Sequence, residues 1–318
     1  MTLSYPLRLM CLSLACLFAV NLASSILLRC LATRAIRRAE RMEARQAARF
    51  LLALRLLPAV FALFCVAGLC VPSYLWLEPV SATEQAGAAC LIAAVLGAAL
   101  WMASIVRASL AALRSFHFGR RCRRIGLKQG LTPLPIIEIA GGGRVVALAG
   151  IFRSQLVMSS EVAAALDPAQ FDAVVWHELA HHRSRDNFKR LLIALAPGWF
   201  LGLHERAWKR FSEWAADDRA AAGDSRRAAD LAMALVRVAR LEAGALPPSL
   251  ATPLVTNNDA ELAARVDRLL ENRTAGAAAS HRRSPWSIAA FAAGLVGIAM
   301  LSPAALAWVH RILERLMD

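Results

Sequence analysis

His177-Glu178-Leu179-Ala180-His181 places two imidazoles four residues apart with a carboxylate between them. Residues four apart share a face of an α-helix, so both rings can meet one metal ion while Glu178 lies beside it. Zinc accepts imidazole nitrogen and carboxylate oxygen, and its catalytic sites keep one position open for water. A carboxylate next to that position can take the water's proton. The pattern predicts a Zn2+ site, one per chain, that hydrolyses peptide bonds with Glu178 as general base.

A third ligand is expected further on. Glu213 is preferred because Asp217 follows it by four residues on the same helix face. There Asp217 can accept a hydrogen bond from the free nitrogen of a ligand imidazole and fix its tautomer. The plainer alternative for both is a solvated acidic face, since Asp218 and Asp224 are close by. Glu205 is a rival ligand, but Arg206 and Lys209 beside it suit an ion-paired surface. His182 faces about 100° away from His181 and is not expected to ligate. His117, His281 and His310 flank apolar segments, while His204 is a candidate oxyanion donor or a packing residue.

The elements that must hold these residues can be read around them. Asp167-Pro168 starts the histidine helix, with Asp167 as N-cap and Gln170 completing a capping-box-like arrangement. Short apolar runs at Ile136–Ile139, Val145–Leu148 and Gln155–Met158 read as strands of a small sheet. Val145, Val146, Ala147 and Leu148, punctuated by glycines, form the candidate edge strand against which a peptide would align. After the histidine helix, Leu191–Leu203 is apolar but interrupted by Pro197-Gly198, and reads as a helix end, a turn and a helix start. Further helices carry Glu213 as far as Gly223, run from Asp224 or Ser225 to about Gly244, and cover about 259–271.

The rest of the chain is a membrane protein by composition. Of 318 residues, 58% are apolar. Met10–Leu28, Leu56–Trp76, Ala86–Val106 and Ser284–Val309 carry no charge, and each reaches the roughly 20 residues a helix needs to cross a bilayer. The net charge of +14 does not point to nucleic acid, because its placement follows topology. Residues 29–55 hold eight Arg against Glu40 and Glu43, and residues 107–128 hold seven Lys/Arg and no acid. The 77–85 connection has only Glu78 and Glu84. This asymmetry predicts both termini outside, with 29–55 and 107–283 in the cytoplasm. The arginine-rich 29–55 stretch suits a helix lying on anionic lipid. Six of the seven cysteines lie in or beside spans, as small packing residues rather than a disulfide or zinc framework.

His177–Asn187 with its Arg185-Asp186-Asn187 tail, the Trp199-Phe200 pair, Arg206 and Glu213-x-x-x-Asp217 together resemble the BlaR/MecR family of membrane-bound zinc metallopeptidases. The resemblance implies zinc ligands at His177, His181 and Glu213, with the base at Glu178. It also implies a mainly α membrane protein with a small β-sheet. Four transmembrane helices would carry a cytoplasmic gluzincin-like peptidase domain between the third and fourth. The expected divisions are 1–28, 29–55, 56–106, 107–283, 284–309 and 310–318. Such enzymes are bacterial inner-membrane proteins, and their receptor members inactivate a cytoplasmic repressor. Only His310–Asp318 follow the last span, so no penicillin-binding sensor is expected and antibiotic sensing does not carry over. The expected partners are a cytoplasmic protein substrate, with a transcriptional repressor as the family candidate, the lipid bilayer, and a separate sensor protein. Direct nucleic-acid binding is not expected.

Two other readings stand beside this one. HtpX or CAAX-processing peptidases share both motifs but place further spans between them, where this chain has only 13 uncharged residues. A zinc-binding signalling scaffold would have no use for the base, and Glu178 is present.

Overall fold

The computed structural model describes residues 4–78, 87–129, 134–140, 145–152, 154–198, 200–241, 250, 252–254 and 259–271. The described chain is mostly helical with one small sheet. Three helical segments, Tyr5–Ala39, Ala44–Leu77 and Ala88–Arg123, are long and apolar enough to cross a membrane. The expected fourth span at 284–309 lies outside the described residues, as do His281 and His310.

Helix α1 covers Tyr5–Ala39, and α2 covers Ala44–Cys65 with Pro58 inside it. A π-helical turn at Val66–Cys70 leads into α3 (Val71–Leu77) without a break, so Pro58 does not end the span. Helix α4 runs over Ala88–Ile125. Large apolar side chains such as Val60, Ile92, Val95 and Met102 point outward, as lipid-facing positions do. Small residues let the helices approach: a Cβ on Gly97 of α4 would stand 2.4 Å from the Leu14 carbonyl oxygen of α1.

At 35 residues α1 is about 52 Å long, well beyond the bilayer core. Its surplus and the first turns of α2 form a helical hairpin, closed by the turn at Glu40–Glu43. Residues 29–55 were expected to lie on lipid as a basic loop. Instead they continue the spans, and Ala39, Ala44, Ala47, Ala48 and Leu51 bury against Trp208, Phe211 and Ala215. Alanines at these positions leave room for the two aromatics, while Arg34, Arg38, Arg41, Arg45 and Arg49 stay exposed.

The sheet contains β1 (Leu127–Gln129), β2 (Ile136–Ile139), β3 (Val146–Ala149), β4 (Gln155–Ser159) and the two-residue β5 (Thr252–Pro253), in the order β1-β2-β4-β3-β5. Only β2 and β4 are parallel. The expected edge strand is therefore an internal one. Val145 leads into β3, and Val146, Ala147 and Leu148 lie between β4 on one side and β5 on the other, with Ala147 opposite both Val157 and Pro253. Glycine punctuation marks the ends of a strand but not its neighbours, and β5 arrives from more than 100 residues downstream.

Helix α5 (Ser160–Ala165) is capped by the Ser159 hydroxyl, which accepts from the Val162 N–H. Helix α6 covers Pro168–Ser184, and the Asp167 carboxylate accepts the Gln170 N–H at 3.0 Å. The reciprocal half of the capping box is not made, because Gln170 Oε1 is buried without a partner. The remaining helices are α7 (Asp186–Leu195), α8 (Gly202–Ala221), α9 (Ser225–Arg240) and α10 (Asp259–Leu270). Val174, Val175 and Leu179 of α6 join Leu148, Leu156 and Met158 of the sheet and Leu231 and Leu235 of α9 in the main core.

Candidate metal centre

Helix α6 carries His177, Glu178 and His181, all completely buried. The two Nε2 atoms face each other at 3.1 Å. Glu213 of α8 closes the group, with Oε2 at 3.6 Å from each of those nitrogens. One ligand atom from each residue lies within 4.8 Å of the others, a group able to hold a metal ion. Two nitrogens and an oxygen that each stand roughly 2.0–2.2 Å from a tetrahedral zinc lie a little over 3 Å apart, so the spacing fits such an ion. Glu213 Oε2 has no hydrogen-bond partner. Arg265 Nη1 lies 3.3 Å from it without a hydrogen bond, so the oxygen keeps an acceptor position toward the two imidazoles.

The chain orients both rings from behind. Arg185 takes a left-handed conformation at φ 54°, which ends α6 and turns α7 back toward it. Asp186 then lies at the start of α7 with Oδ2 2.7 Å from His181 Nδ1. Ser212 Oγ donates to the same oxygen at 3.0 Å, and Lys189 Nζ donates to Oδ1 at 2.6 Å. For His177 the partner is Asp217, whose Oδ1 lies 2.9 Å from Nδ1. A carboxylate beside each Nδ1 favours the tautomers whose Nε2 atoms can take a metal, with Arg265 Nη2 3.5 Å from His177 Nε2.

Arg265 of α10 completes the arrangement. Its Nε donates to Asp217 Oδ2 at 2.9 Å and its Nη2 to Oδ1 at 2.7 Å. Its Nη1 donates to the Leu254 carbonyl at 2.8 Å and lies 3.3 Å from Glu213 Oε2. On the far side, Asn187 Nδ2 donates to the carbonyls of Leu148 and Gly150, at 2.8 and 2.6 Å. The start of α7 is thereby tied to the sheet.

The charges follow from these contacts. Burial pushes the Glu178 carboxyl up, opposed by the nearby His177 and His181. Burial also works against ionised Glu213, yet His181, His177 and Arg265 hold it well below the usual carboxylate range. Asp186 and Asp217 are each brought down to about 2 against burial, the first by His181 and Lys189, the second by Arg265 and His177. Glu178 has neither carboxylate oxygen hydrogen-bonded.

The candidates from the sequence separate cleanly. His177, Glu178, His181, Glu213 and Asp217 come together. Glu205 pairs with Lys209 at 3.0 Å and sits two helical turns before Glu213, roughly 12 Å away along α8. His204 is buried with both ring nitrogens unpartnered, and burial, reinforced by Arg55 and Arg29, lowers its pKa. Nine residues before Glu213, it is too far to serve an oxyanion there. Of Val145 to Leu148, Leu148 is tied to the start of α7 through its carbonyl and Asn187. Asp186, Ser212, Asn187 and Arg265 were given no role in the chemistry by their sequence positions. Asp186 carried one signal, its place just past the histidine helix. Arg265 carried none, because it meets Asp217 across 48 residues.

No protein-family model, curated protein or solved structure matches this chain. The site therefore has to be judged on its own geometry.

Proposed function

We propose that this chain is an integral-membrane zinc metalloendopeptidase of BlaR/MecR-like type that cuts a cytoplasmic protein. Glu178 carries the reading. A fully buried carboxylate with neither oxygen hydrogen-bonded, one residue from a ligand imidazole, costs stability. A structural zinc site gains nothing from it, whereas hydrolysis needs a general base in that place. The two-nitrogen, one-oxygen donor set favours zinc.

A bound zinc ion would supply Lewis acidity to a water and to the scissile carbonyl. His177, His181 and Glu213 would hold the ion, with Asp217 and Asp186 beside the far nitrogens of the two rings. Glu178 takes the proton from the attacking water on a carboxylate oxygen and passes it to the leaving amine nitrogen. Arg265 holds Asp217 ionised and in place.

Arginine placement supports a cytoplasmic site, since Arg29 and Arg107 follow uncharged runs and Arg55 precedes one, which puts all three at one boundary of antiparallel spans. A cytoplasmic substrate follows from that orientation. A transcriptional repressor is the family candidate, with a separate sensor protein gating access.

The deciding experiment compares wild type with Glu178→Gln. Wild type should hold about one zinc per chain and cleave peptides, and a chelator should abolish both. Glu178→Gln should keep the metal and lose cleavage by about 10²–10⁴-fold. Full cleavage by Glu178→Gln would end the proposal. Full zinc retention by Glu213→Ala would show a different third ligand. Cells carrying Glu178→Gln should accumulate one intact regulator, whereas a broad rise in misfolded membrane proteins would favour a quality-control peptidase.

A further inference from the structure

Away from the metal centre, a cavity of about 550 Å³ opens where α2 and α4 leave the apolar runs, between them and α7 and α8. Four cations line it: Arg55, Arg107, Arg190 and Lys209. The one acid in its wall is Glu205, already paired with Lys209 at 3.0 Å. Arg55 immediately precedes the uncharged run 56–76, and Arg107 immediately follows the run 86–106. Antiparallel helices thus put both guanidinium groups at one membrane boundary, which is where a phospholipid headgroup lies.

The cations are partly accounted for by the protein. Arg55 Nη2 donates to the carbonyls of Ile193 and Ala196, each at 3.2 Å, and Arg107 donates to Ala194 at 2.8 and 3.1 Å. These bonds satisfy the C-terminal carbonyls of α7. They leave Arg55 Nε and Nη1 without a partner among the described residues, although the side chain is only 3% exposed. Arg190 stacks over the Trp208 ring at 5.7 Å and its Nη2 lies 3.9 Å from Glu213 Oε1, while its Nε is buried and unpartnered. Buried guanidinium donors without partners in the wall of one cavity are uncompensated charge, which an anionic acceptor seated there would offset.

We infer that this cavity binds the phosphate of an anionic phospholipid headgroup. A planar guanidinium matches phosphate oxygens in pairs, and Arg107 and Lys209 add charge at the rim. A zwitterionic headgroup would bring its own cation into an already positive cavity and bind more weakly.

Gly202 gives a test that spares the arginines that cap α7. It lines the cavity at the start of α8, and a Cβ there meets nothing within 4 Å. Gly202→Ala and Gly202→Glu should both fold, and an acid suits a helix N-terminus. The full chain would be placed in nanodiscs with equal phosphatidylglycerol and phosphatidylcholine, extracted gently, and its retained lipids counted by native mass spectrometry. Wild type and Gly202→Ala should retain phosphatidylglycerol in preference. Gly202→Glu and Lys209→Gln should lower that preference about tenfold, the weight of one charge-assisted hydrogen bond. Equal retention of the two lipids by wild type, or an unchanged preference in both variants, would overturn the assignment. Stabilisation by inorganic phosphate alone, with no lipid preference, would overturn it too and make the cavity a solute site.

Discussion

Arg265 grips Asp217 through two hydrogen bonds of 2.9 and 2.7 Å, and both side chains are buried. The same carboxylate touches His177 at Nδ1. Helices α8 and α10 are therefore joined to α6 through one charge network behind the metal ligands. One turn of α10 later, Arg268 pairs with Asp218 at 2.6 Å, with both side chains more exposed.

This contrast makes the first prediction. Arg265→Met removes the guanidinium from buried Asp217, leaving it only the His177 ring, and should cost about 3–5 kcal/mol. Arg268→Met should cost about 0–1 kcal/mol. The Arg265→Met/Asp217→Asn double variant should lose clearly less than the two single losses added together. Denaturant unfolding of the detergent-solubilised chain measures all of these. Equal losses for the two arginines would show that the network does not hold the site.

The second concerns the other ring. Asp186 is the charged partner of His181, so Asp186→Asn should weaken zinc affinity by about 10–100-fold. Ser212→Ala removes only one donor to Asp186 and should weaken it less. Competition against a chromogenic chelator reads both affinities. If Asp186→Asn binds zinc like wild type, the ring is held some other way.

The third tests the link from spans to site. Ala47 of α2 is fully buried against the α8 aromatics, whereas Ala53 on the same helix is exposed. Ala47→Leu should cost about 1–3 kcal/mol by overpacking. It should also reduce zinc occupancy, because α8 carries Glu213. Ala53→Leu should do neither. Unchanged stability in Ala47→Leu would mean the hairpin and α8 part in solution.

The fourth concerns orientation. Cysteines placed at Arg41 and Glu84, on a background without the exposed Cys30, should label from opposite sides of the membrane. Only the Glu84→Cys protein should react with an impermeant reagent added outside. Labelling of Arg41→Cys from outside would invert the topology and place the metal centre on the outer side.

Much of the site was legible because its main elements are local. His177, Glu178 and His181 sit on one capped helix, and Glu213 and Asp217 on another, so helical periodicity alone puts each set on one face. The three apolar helices were equally legible, since crossing a bilayer demands a long uncharged run whatever surrounds it. Tertiary structure decided what depends on neighbours distant in sequence. Arg265 reaches Asp217 from 48 residues away, and β5 covers β3 from more than 100. The arginine-rich 29–55 stretch packs its alanines on Trp208 and Phe211 of a helix more than 150 residues away. The turn that brings Asp186 back to His181 depends on a left-handed Arg185, a conformation that residue type does not favour. Periodicity records which face of an element is buried, but which element buries it is set by long-range packing.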